Sequence, residues 1–330
     1  MTQVDTAPGT RRRVRPPGGA DRVFRGGIRA AGLVVLAIMV TVGGFLLANG
    51  TKALSTAGWD FFTTEAWQPD SGNFGIAAVL VGTLLIASVA LCVAFPLALC
   101  VSLYISEYAT RGKRFWIGLV DLMAAIPSVV YGLFGAVYLQ WHTLDVPRWI
   151  GVHLGWIPVF KVDGFEPDDP LGTNTVFASS TFYAGFVVGF MVMPIMCSVM
   201  REAFSQAPQG EREGAYALGA TRWGMIRSVV LPFGRSGMIG GTMLGLGRAL
   251  GETIAVYMII APVFAIQPHV LQSGANSVSA LIAQQWGAAS PFGLSALMAA
   301  GLALFALTLV VNFGASAVIA RSRSGQGSDA

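Results

Sequence analysis

Residues 201–232 read REAFSQAPQGEREGAYALGATRWGMIRSVVLP and separate two apolar segments, 176–200 and 236–262. Each apolar segment is long enough to cross a bilayer, for which about 20 residues suffice. Within the polar stretch, the helix-forming residues 211–218 lie between Gly210 and Gly219, and this pattern predicts a short helix. A short helix attached on both sides to membrane helices can act as a lever, because a partner that holds it can move both spans.

The apolar pattern extends over most of the chain. Hydrophobic residues make up 54% and charged residues 12% of the 330 positions, whereas soluble domains carry about 25% charged residues. This composition excludes a disordered chain and a disulfide scaffold, and it disfavours a soluble enzyme. We therefore expect an all-α membrane protein with six transmembrane helices, at about 28–48, 75–103, 115–140, 176–200, 236–262 and 293–319. Pro127 predicts a break within the third helix.

The positions of the basic residues predict the orientation. Most of the 21 lysines and arginines fall in the segments 1–29, 104–114, 201–235 and 321–330, and only Lys52, Arg148 and Lys161 fall in the segments on the other side. Because cytoplasmic loops are enriched in Lys and Arg, both termini are expected in the cytoplasm of a multi-pass protein of the cell inner membrane. The predicted organisation is a disordered basic arm (1–27), a transmembrane domain (28–320) with its cytoplasmic loop (201–235), and a cytoplasmic tail (321–330).

Two charges lie inside the fifth predicted span, in the run GLGRALGETIAV. Arg248 falls near the membrane midplane and Glu252 follows one turn later on the same face, so we expect them to contact each other. One interpretation is a structural ion pair. The other is that Arg248 attracts an anion and Glu252 orients or gates it, because charges inside a membrane mark ion pathways.

Three further side chains are weaker candidates for the pathway. Asp121 lies in the third predicted span, and Ser128 and Tyr131 follow its proline and offer hydroxyl groups. A row of small residues on the fifth span (Gly237, Gly241, Gly245 and Ala249) predicts close helix packing, which suits a subunit interface.

Other classes of protein fit less well. The histidines lack the spacing of metal ligands or of a nucleophile's partner, so we expect neither a metal site nor a catalytic site. No G-x-x-x-x-G-K-[ST] loop is present, and the basic residues lie at membrane edges rather than in a patch for nucleic acid. A secondary transporter or ion channel that uses Arg248 and Glu252 remains the alternative, although it leaves the 201–235 loop unexplained.

The polar loop resembles the EAA signature of ABC importer permeases. The resemblance rests on Glu213, Ala215 and Gly219 with the following VVLP (residues 229–232), although Gly214 replaces one alanine of the signature. Four further runs resemble the phosphate permeases of that family: FFTTEAWQPDSGNFG (61–75), LYISEYA (103–109), MAAIPSVVYGLFG (123–135) and GRALGET (247–253).

The resemblance implies the MetI-like fold and a role in ATP-driven import of inorganic phosphate. It implies that the loop helix docks on a cytoplasmic ATPase through Glu213, Ala215, Tyr216, Leu218 and Gly219. ATP would be used by that partner, and no cofactor is expected on this chain. The implied partners are a paralogous permease, ATPase subunits, a phosphate-binding protein and membrane lipid. The Arg and Glu of the GRALGET run correspond to Arg248 and Glu252.

Overall fold

The computed structural model describes residues 19–166 and 173–323, and most of these residues are helical. The α-helices are α1 (Gly19–Ala57), α2 (Asp60–Thr63), α3 (Ala77–Leu103), α4 (Lys113–Ala125), α5 (Ser128–Leu133), α6 (Gln140–His142), α7 (Asp145–Leu154), α8 (Thr181–Ser205), α9 (Gln209–Ala217), α10 (Arg222–Met225), α11 (Leu231–Phe233), α12 (Arg235–Leu250), α13 (Ile254–Ile259), α14 (Val278–Gln285) and α15 (Pro291–Arg323).

Shorter elements join these helices. π-Helical segments extend α3 (Tyr104–Tyr108), α5 (Phe134–Leu139) and α10 (Ile226–Val230), and 3₁₀ turns occur at Pro69–Ser71, Pro158–Phe160 and Asn174–Phe177. Strands β1 (Trp67–Gln68) and β2 (Asn73–Phe74) form an antiparallel hairpin in which Trp67 pairs with Phe74.

The chain divides into two units, one that ends at Phe45 and one that begins at Leu46. In the first unit, the described residues form one helical stretch from Gly19, so residues 19–27 are helical and the prediction of a disordered arm is wrong for them. The helix continues back from the apolar run through Gly27 and Gly26, whose helix propensity is low, to the helix formers Arg25, Arg22 and Ala20. The rest of the predicted arm, 1–18, and residues 324–330 of the predicted tail lie outside the described residues.

The six-span count is not confirmed. Four helical stretches within the described residues are long and apolar enough to cross a membrane: Arg22–Ala57, Ala77–Tyr108, Thr181–Ser205 and Pro291–Gly314. A fifth span exists if Lys113–Ala125 and Ser128–His142, which are bent by 84° at the break before Ser128, count as one. The predicted span 236–262 is instead divided between α12 and α13. At 16 residues α12 is about 24 Å long, which is less than the thickness of the bilayer core.

The break predicted at Pro127 is confirmed. Helix α4 ends at Ala125, Ile126 is extended, and Pro127 precedes the first residue of α5. The proline ring disfavours the helical conformation for the residue before it, which explains why the break falls at Ile126.

Helix α8 is the centre of the second unit. In the most apolar 18-residue stretch of α8, 67% of the residues are buried, whereas the corresponding share is 28% in α3 and in α15. Small residues allow the close packing: a Cβ at Gly185 on α8 would overlap Val89 on α3, and a Cβ at Gly237 on α12 would overlap Ala203 on α8. The small-residue row of the fifth predicted span therefore packs within this chain, and its expected place at a subunit interface is wrong.

Candidate functional site

Arg248 lies in the last turn of α12 and is exposed to a cavity. The cavity has a volume of about 430 Å³ and is bounded by α8, α12 and α15. Its polar lining comes from Arg248, Thr308 and Asn312, and the remainder is Ile195, Met243, Leu244 and Gly247. Arg248 and Asn312 carry N–H donors, whereas the Thr308 hydroxyl already donates to the carbonyl of Phe305 at 2.8 Å. An oxyanion in this cavity would therefore be met mainly by the guanidinium and the amide.

Glu252 has a different environment. It lies in the break between α12 and α13, and only 8% of it is exposed. Its Oε1 accepts a hydrogen bond from the backbone N–H of Ala255 at 3.2 Å, and its backbone carbonyl accepts one from Ser279 Oγ at 2.7 Å. Glu252 thus caps the start of α13 and ties the break to α14, because a carboxylate is favourable at a helix N-terminus.

The predicted contact between Arg248 and Glu252 is wrong. Among residues 19–166 and 173–323, no ion pair joins Arg248 to an acidic side chain. The spacing of four residues places two side chains on one face only while the helix continues, and α12 ends at Leu250. The backbone N–H of Glu252 bonds to the carbonyl of Ala249 at 3.3 Å, a tighter turn that ends the helix.

The three weaker candidates do not join Arg248 in its cavity. Asp121 is exposed on α4 and lies within electrostatic range of Cys197 on α8. Ser128 is half-buried at the start of α5. The Tyr131 hydroxyl donates a hydrogen bond to the carbonyl of Met123 at 3.0 Å, so it holds the two arms of the Pro127 break together.

The predicted loop helix is present as α9, Gln209–Ala217, within two residues of the predicted bounds. Gly219 has a φ of +82°, the left-handed conformation that closes a helix. The N–H of Gly219 bonds to the carbonyl of Tyr216 at 2.9 Å, and the N–H of Ala220 bonds to the carbonyl of Ala215 at 3.0 Å. These two bonds form a Schellman motif, so the C-terminus of α9 is fixed by local sequence.

One side of α9 and the turn after it present an uncovered surface. Leu218 is 91% exposed, Tyr216 is 44% exposed, and Trp223 on α10 is 57% exposed. Glu213 is also exposed, whereas Ala215 is half-buried and packs against the core. Exposed large apolar side chains beside a carboxylate are typical of a surface that a protein partner covers.

Arg212 and Glu107 were missed by sequence reasoning. The Arg212 guanidinium donates to Glu107 Oε2 at 2.7 Å, and its other nitrogens donate to the carbonyls of Phe204 at 2.6 Å and Ala207 at 3.2 Å. The side chains of Arg212 and Glu107 are 20% and 3% exposed. The two residues are 105 positions apart, so spacing gives no signal, although Glu107 belongs to the LYISEYA run.

The segment after α7 is held by local charges. Lys161 donates a hydrogen bond to Asp163 at 2.8 Å, and this bond, with the positive charge of Lys161, keeps the pKa of the Asp163 carboxyl below its usual value. Asp163 also lies 3.3 Å from His269, so the segment is joined to the connection between α13 and α14.

Comparison with known proteins identifies the class. A family model described as "binding-protein-dependent transport system inner membrane component" matches residues 94–324. The chain belongs to this family and is a multi-pass membrane permease subunit of an ABC transporter, not an enzyme. This membership does not fit the alternative of a secondary transporter or ion channel.

Among the individual relatives, the chain is similar to phosphate transport system permease proteins PstC. It is 37% identical over 294 residues to PstC of Xylella fastidiosa (strain Temecula1), covering 88% of each chain. It is 34% identical over 310 residues to PstC 2 of Mycobacterium tuberculosis (strain H37Rv), covering 92% of this chain and 93% of that protein. Matches of this length necessarily include residues 201–252, and so the loop and the break at Glu252.

Solved structures agree on the fold. The chain aligns with a chain of a bacterial ABC transporter involved in the import of the acidic polysaccharide alginate, at a TM-score of 0.55 and 20% identity, covering 91% of this chain and 99% of that one. It also aligns with an inward-facing MetNI methionine ABC transporter chain at a TM-score of 0.51 and 14% identity, covering 75% and 97%. The fold is therefore the helical, MetI-like fold of ABC importer permeases.

Proposed function

We propose that the chain is a permease subunit of an ATP-driven importer of inorganic phosphate. The names of the PstC relatives support phosphate as the substrate. The observation in this chain that carries the proposal is the exposure of Arg248 to a cavity bounded by α8, α12 and α15, without an acidic partner among the described residues. A charged side chain within the bilayer is costly unless it faces an anion, a partner or a water-filled path.

The cavity also suits the size and chemistry of phosphate. The cavity opens to the surface, and its volume of about 430 Å³ leaves room for an oxyanion together with water. Thr308 and Asn312 add neutral polar groups beside Arg248, so the anion would meet one full positive charge rather than a cluster. A single charge favours passage, since a transported ion must also leave its site.

The partners follow from the same proposal. A paralogous (PstA-like) permease would complete the translocation path, ATPase subunits (PstB-like) would bind α9, and a phosphate-binding protein (PstS-like) would deliver the substrate. This chain would bind no cofactor, and ATP would be used by the ATPase subunits. Both termini and α9 would lie in the cytoplasm, as the distribution of basic residues predicts.

The proposed mechanism is alternating access. A loaded binding protein docks on the outer loops, ATP closes the ATPase dimer, and α9 passes that movement to the helices that line the path. The exposed Tyr216, Leu218 and Glu213 provide the surface that the ATPase would hold. Glu252 would stabilise the break between α12 and α13, where it caps the start of α13. It would not contact phosphate itself.

The experiment is an ATPase assay on the purified complex with its binding protein in lipid vesicles. Phosphate is expected to stimulate ATP hydrolysis and to enter the vesicles, whereas sulfate and molybdate at equal concentration are expected to do neither. Equal stimulation by sulfate or molybdate would overturn phosphate as the specific substrate. Stimulation by none of the three anions would overturn the proposed importer function.

A further inference from the structure

The inner end of α3 is held by the polar loop from two sides. Glu107 and Tyr108 are adjacent residues of the π-helical extension of α3. Glu107 pairs with Arg212 on α9 at 2.7 Å, and the Tyr108 ring lies under the guanidinium of Arg222 on α10, 5.1 Å from the ring centroid. Arg212 precedes the turn at Gly219 and Arg222 follows it. The same loop therefore contacts the end of α3 twice, once before and once after this turn.

The Arg212–Glu107 contact has the features of a rigid joint. Ser106 Oγ donates to Glu107 Oε1 at 2.7 Å, so each carboxylate oxygen has its own donor. Arg212 is fixed in turn by the carbonyls of Phe204 and Ala207, at the end of α8 and just after it. A guanidinium held by three acceptors in different directions cannot rotate freely, so a displacement of α9 moves Glu107 with it.

At its other end, α3 reaches the helix break that contains Glu252. Thr83 on α3 is 2% exposed, and its Oγ1 accepts a hydrogen bond from the N–H of Val278 at the start of α14, at 3.0 Å. The next residue, Ser279, donates to the carbonyl of Glu252 at 2.7 Å. Helix α3 has 27 residues and is about 40 Å long, so it spans the distance between the polar loop and the break.

We propose that the Arg212–Glu107 ion pair is the joint through which movement of α9 reaches α3, and that α3 carries the movement to the break at Glu252. Arg212 and Glu107 are thus positioning residues for coupling. The inference rests on the proposed function in one respect, which is that α9 is held by an ATPase partner. It adds a non-covalent route to α3, in addition to the covalent connections of the loop to α8 and α12.

The first test is a double-mutant cycle on the whole transport complex in lipid vesicles. The measured quantity is the number of phosphate ions taken up per ATP hydrolysed, normalised to assembled complex. Arg212→Gln and Glu107→Gln are each expected to lower this ratio about tenfold, whereas the double variant is expected to lose less than either. Leaving one charge of a buried pair unpaired is worse than removing both.

Two matched controls locate the effect. Arg111→Gln removes an exposed arginine from the same inner turn and is expected to leave the ratio unchanged. Thr83→Val, which removes the acceptor for Val278, is expected to lower the ratio, whereas Ser88→Ala is not, because the Ser88 hydroxyl bonds only within α3. Single variants with reduced assembly but an unchanged ratio would show a structural role only and would overturn the proposal.

The second test does not depend on the identity of the substrate. Spin labels at the exposed positions 110 and 209, in a variant without native cysteines, report the distance between the α3 end and α9. A narrow distance distribution is expected with Arg212 present, and a distribution broader by several ångströms is expected in Arg212→Gln. Identical distributions would overturn the proposal that the Arg212–Glu107 pair couples α9 to α3. Absence of phosphate uptake by the unmodified complex would instead count against the proposed function.

Discussion

Arg248 combines a positive charge with exposure to the cavity bounded by α8, α12 and α15. If it attracts the transported anion, Arg248→Gln should lower phosphate uptake by the reconstituted complex at least about tenfold, because a charge-assisted hydrogen bond is lost. Arg248→Lys should retain part of the activity. The matched control is Arg235→Gln, which removes an exposed arginine from the first residue of the same helix and should leave uptake unchanged. Unchanged rate and affinity in Arg248→Gln would remove its role with substrate.

Glu252 is expected to matter for structure through its acceptor oxygen and not through its charge. Glu252→Gln keeps an oxygen for the N–H of Ala255, so thermal stability and uptake should stay close to the original values. Glu252→Ala leaves that buried N–H unpaired, which costs about 1–3 kcal/mol. Thermal unfolding of the purified complex should show this difference. A Gln variant that is stable but inactive in transport would contradict the capping role and restore a role for the charge.

The behaviour of Glu252 shows where residue patterns stop being informative. Charges inside an apolar segment are rare, which makes the GRALGET run a candidate site, and the structure has a helix break within this run. The predicted contact with Arg248 is absent because it required a continuous helix through Gly251, and α12 ends at Leu250. The buried partner of Glu252, Ser279, is 27 positions away and is brought close only by the return of the chain at α14.

At the scale of the element, α9 offers two glycines with opposite expectations. Gly219 has a positive φ, so Gly219→Ala should destabilise the end of α9 by about 1–2 kcal/mol. Gly214 is inside the helix with open space around it, so Gly214→Ala should stabilise α9 by about 0.4–1 kcal/mol. Hydrogen exchange of residues 209–217 should become faster in the first variant and slower in the second. Equal changes of the exchange rate in the two variants would contradict the role of Gly219 as the C-terminal cap of α9.

The exposed surface of α9 gives a second expectation. Glu213→Lys should uncouple ATP hydrolysis from phosphate uptake without preventing membrane insertion, because it reverses an exposed charge on the surface proposed to face the ATPase. The measurement is the ratio of uptake to hydrolysis in vesicles. Glu202→Lys, an exposed acidic residue at the end of α8, is the control and should be neutral. Normal ATP-driven uptake by the Glu213→Lys variant would count against coupling of the ATPase to the permease through α9.

Local elements could be predicted from sequence more accurately than the contacts between them. Helix α9 was placed within two residues because Gly219 ends it by a purely local signal, and the break at Pro127 follows from the proline itself. The sequence predicts one helix over 236–262 because hydropathy gives no sign of a break inside an apolar run. The ion pair between Arg212 and Glu107 depends on tertiary packing, which cannot be predicted from a local pattern.

At the scale of the whole molecule, the orientation predicted from the basic residues can be tested on intact cells. Leu218 and Trp156 are 91% and 79% exposed, so cysteines at these positions should react readily once reagent reaches them. In a variant without native cysteines, a membrane-impermeant thiol reagent added from outside should label position 156 but not position 218. Labelling of position 218 in intact cells would contradict a cytoplasmic location for α9.

The central claim is that this chain moves its substrate only when an ATP-hydrolysing partner acts on α9. The most direct measurement is phosphate uptake by vesicles that contain the complete complex, the complex with a hydrolysis-deficient ATPase, or this chain with its paralogous permease alone. Uptake is expected only in the first case and only with ATP and loaded binding protein. Phosphate movement by the permease subunits alone, down or against a gradient, would contradict the claim.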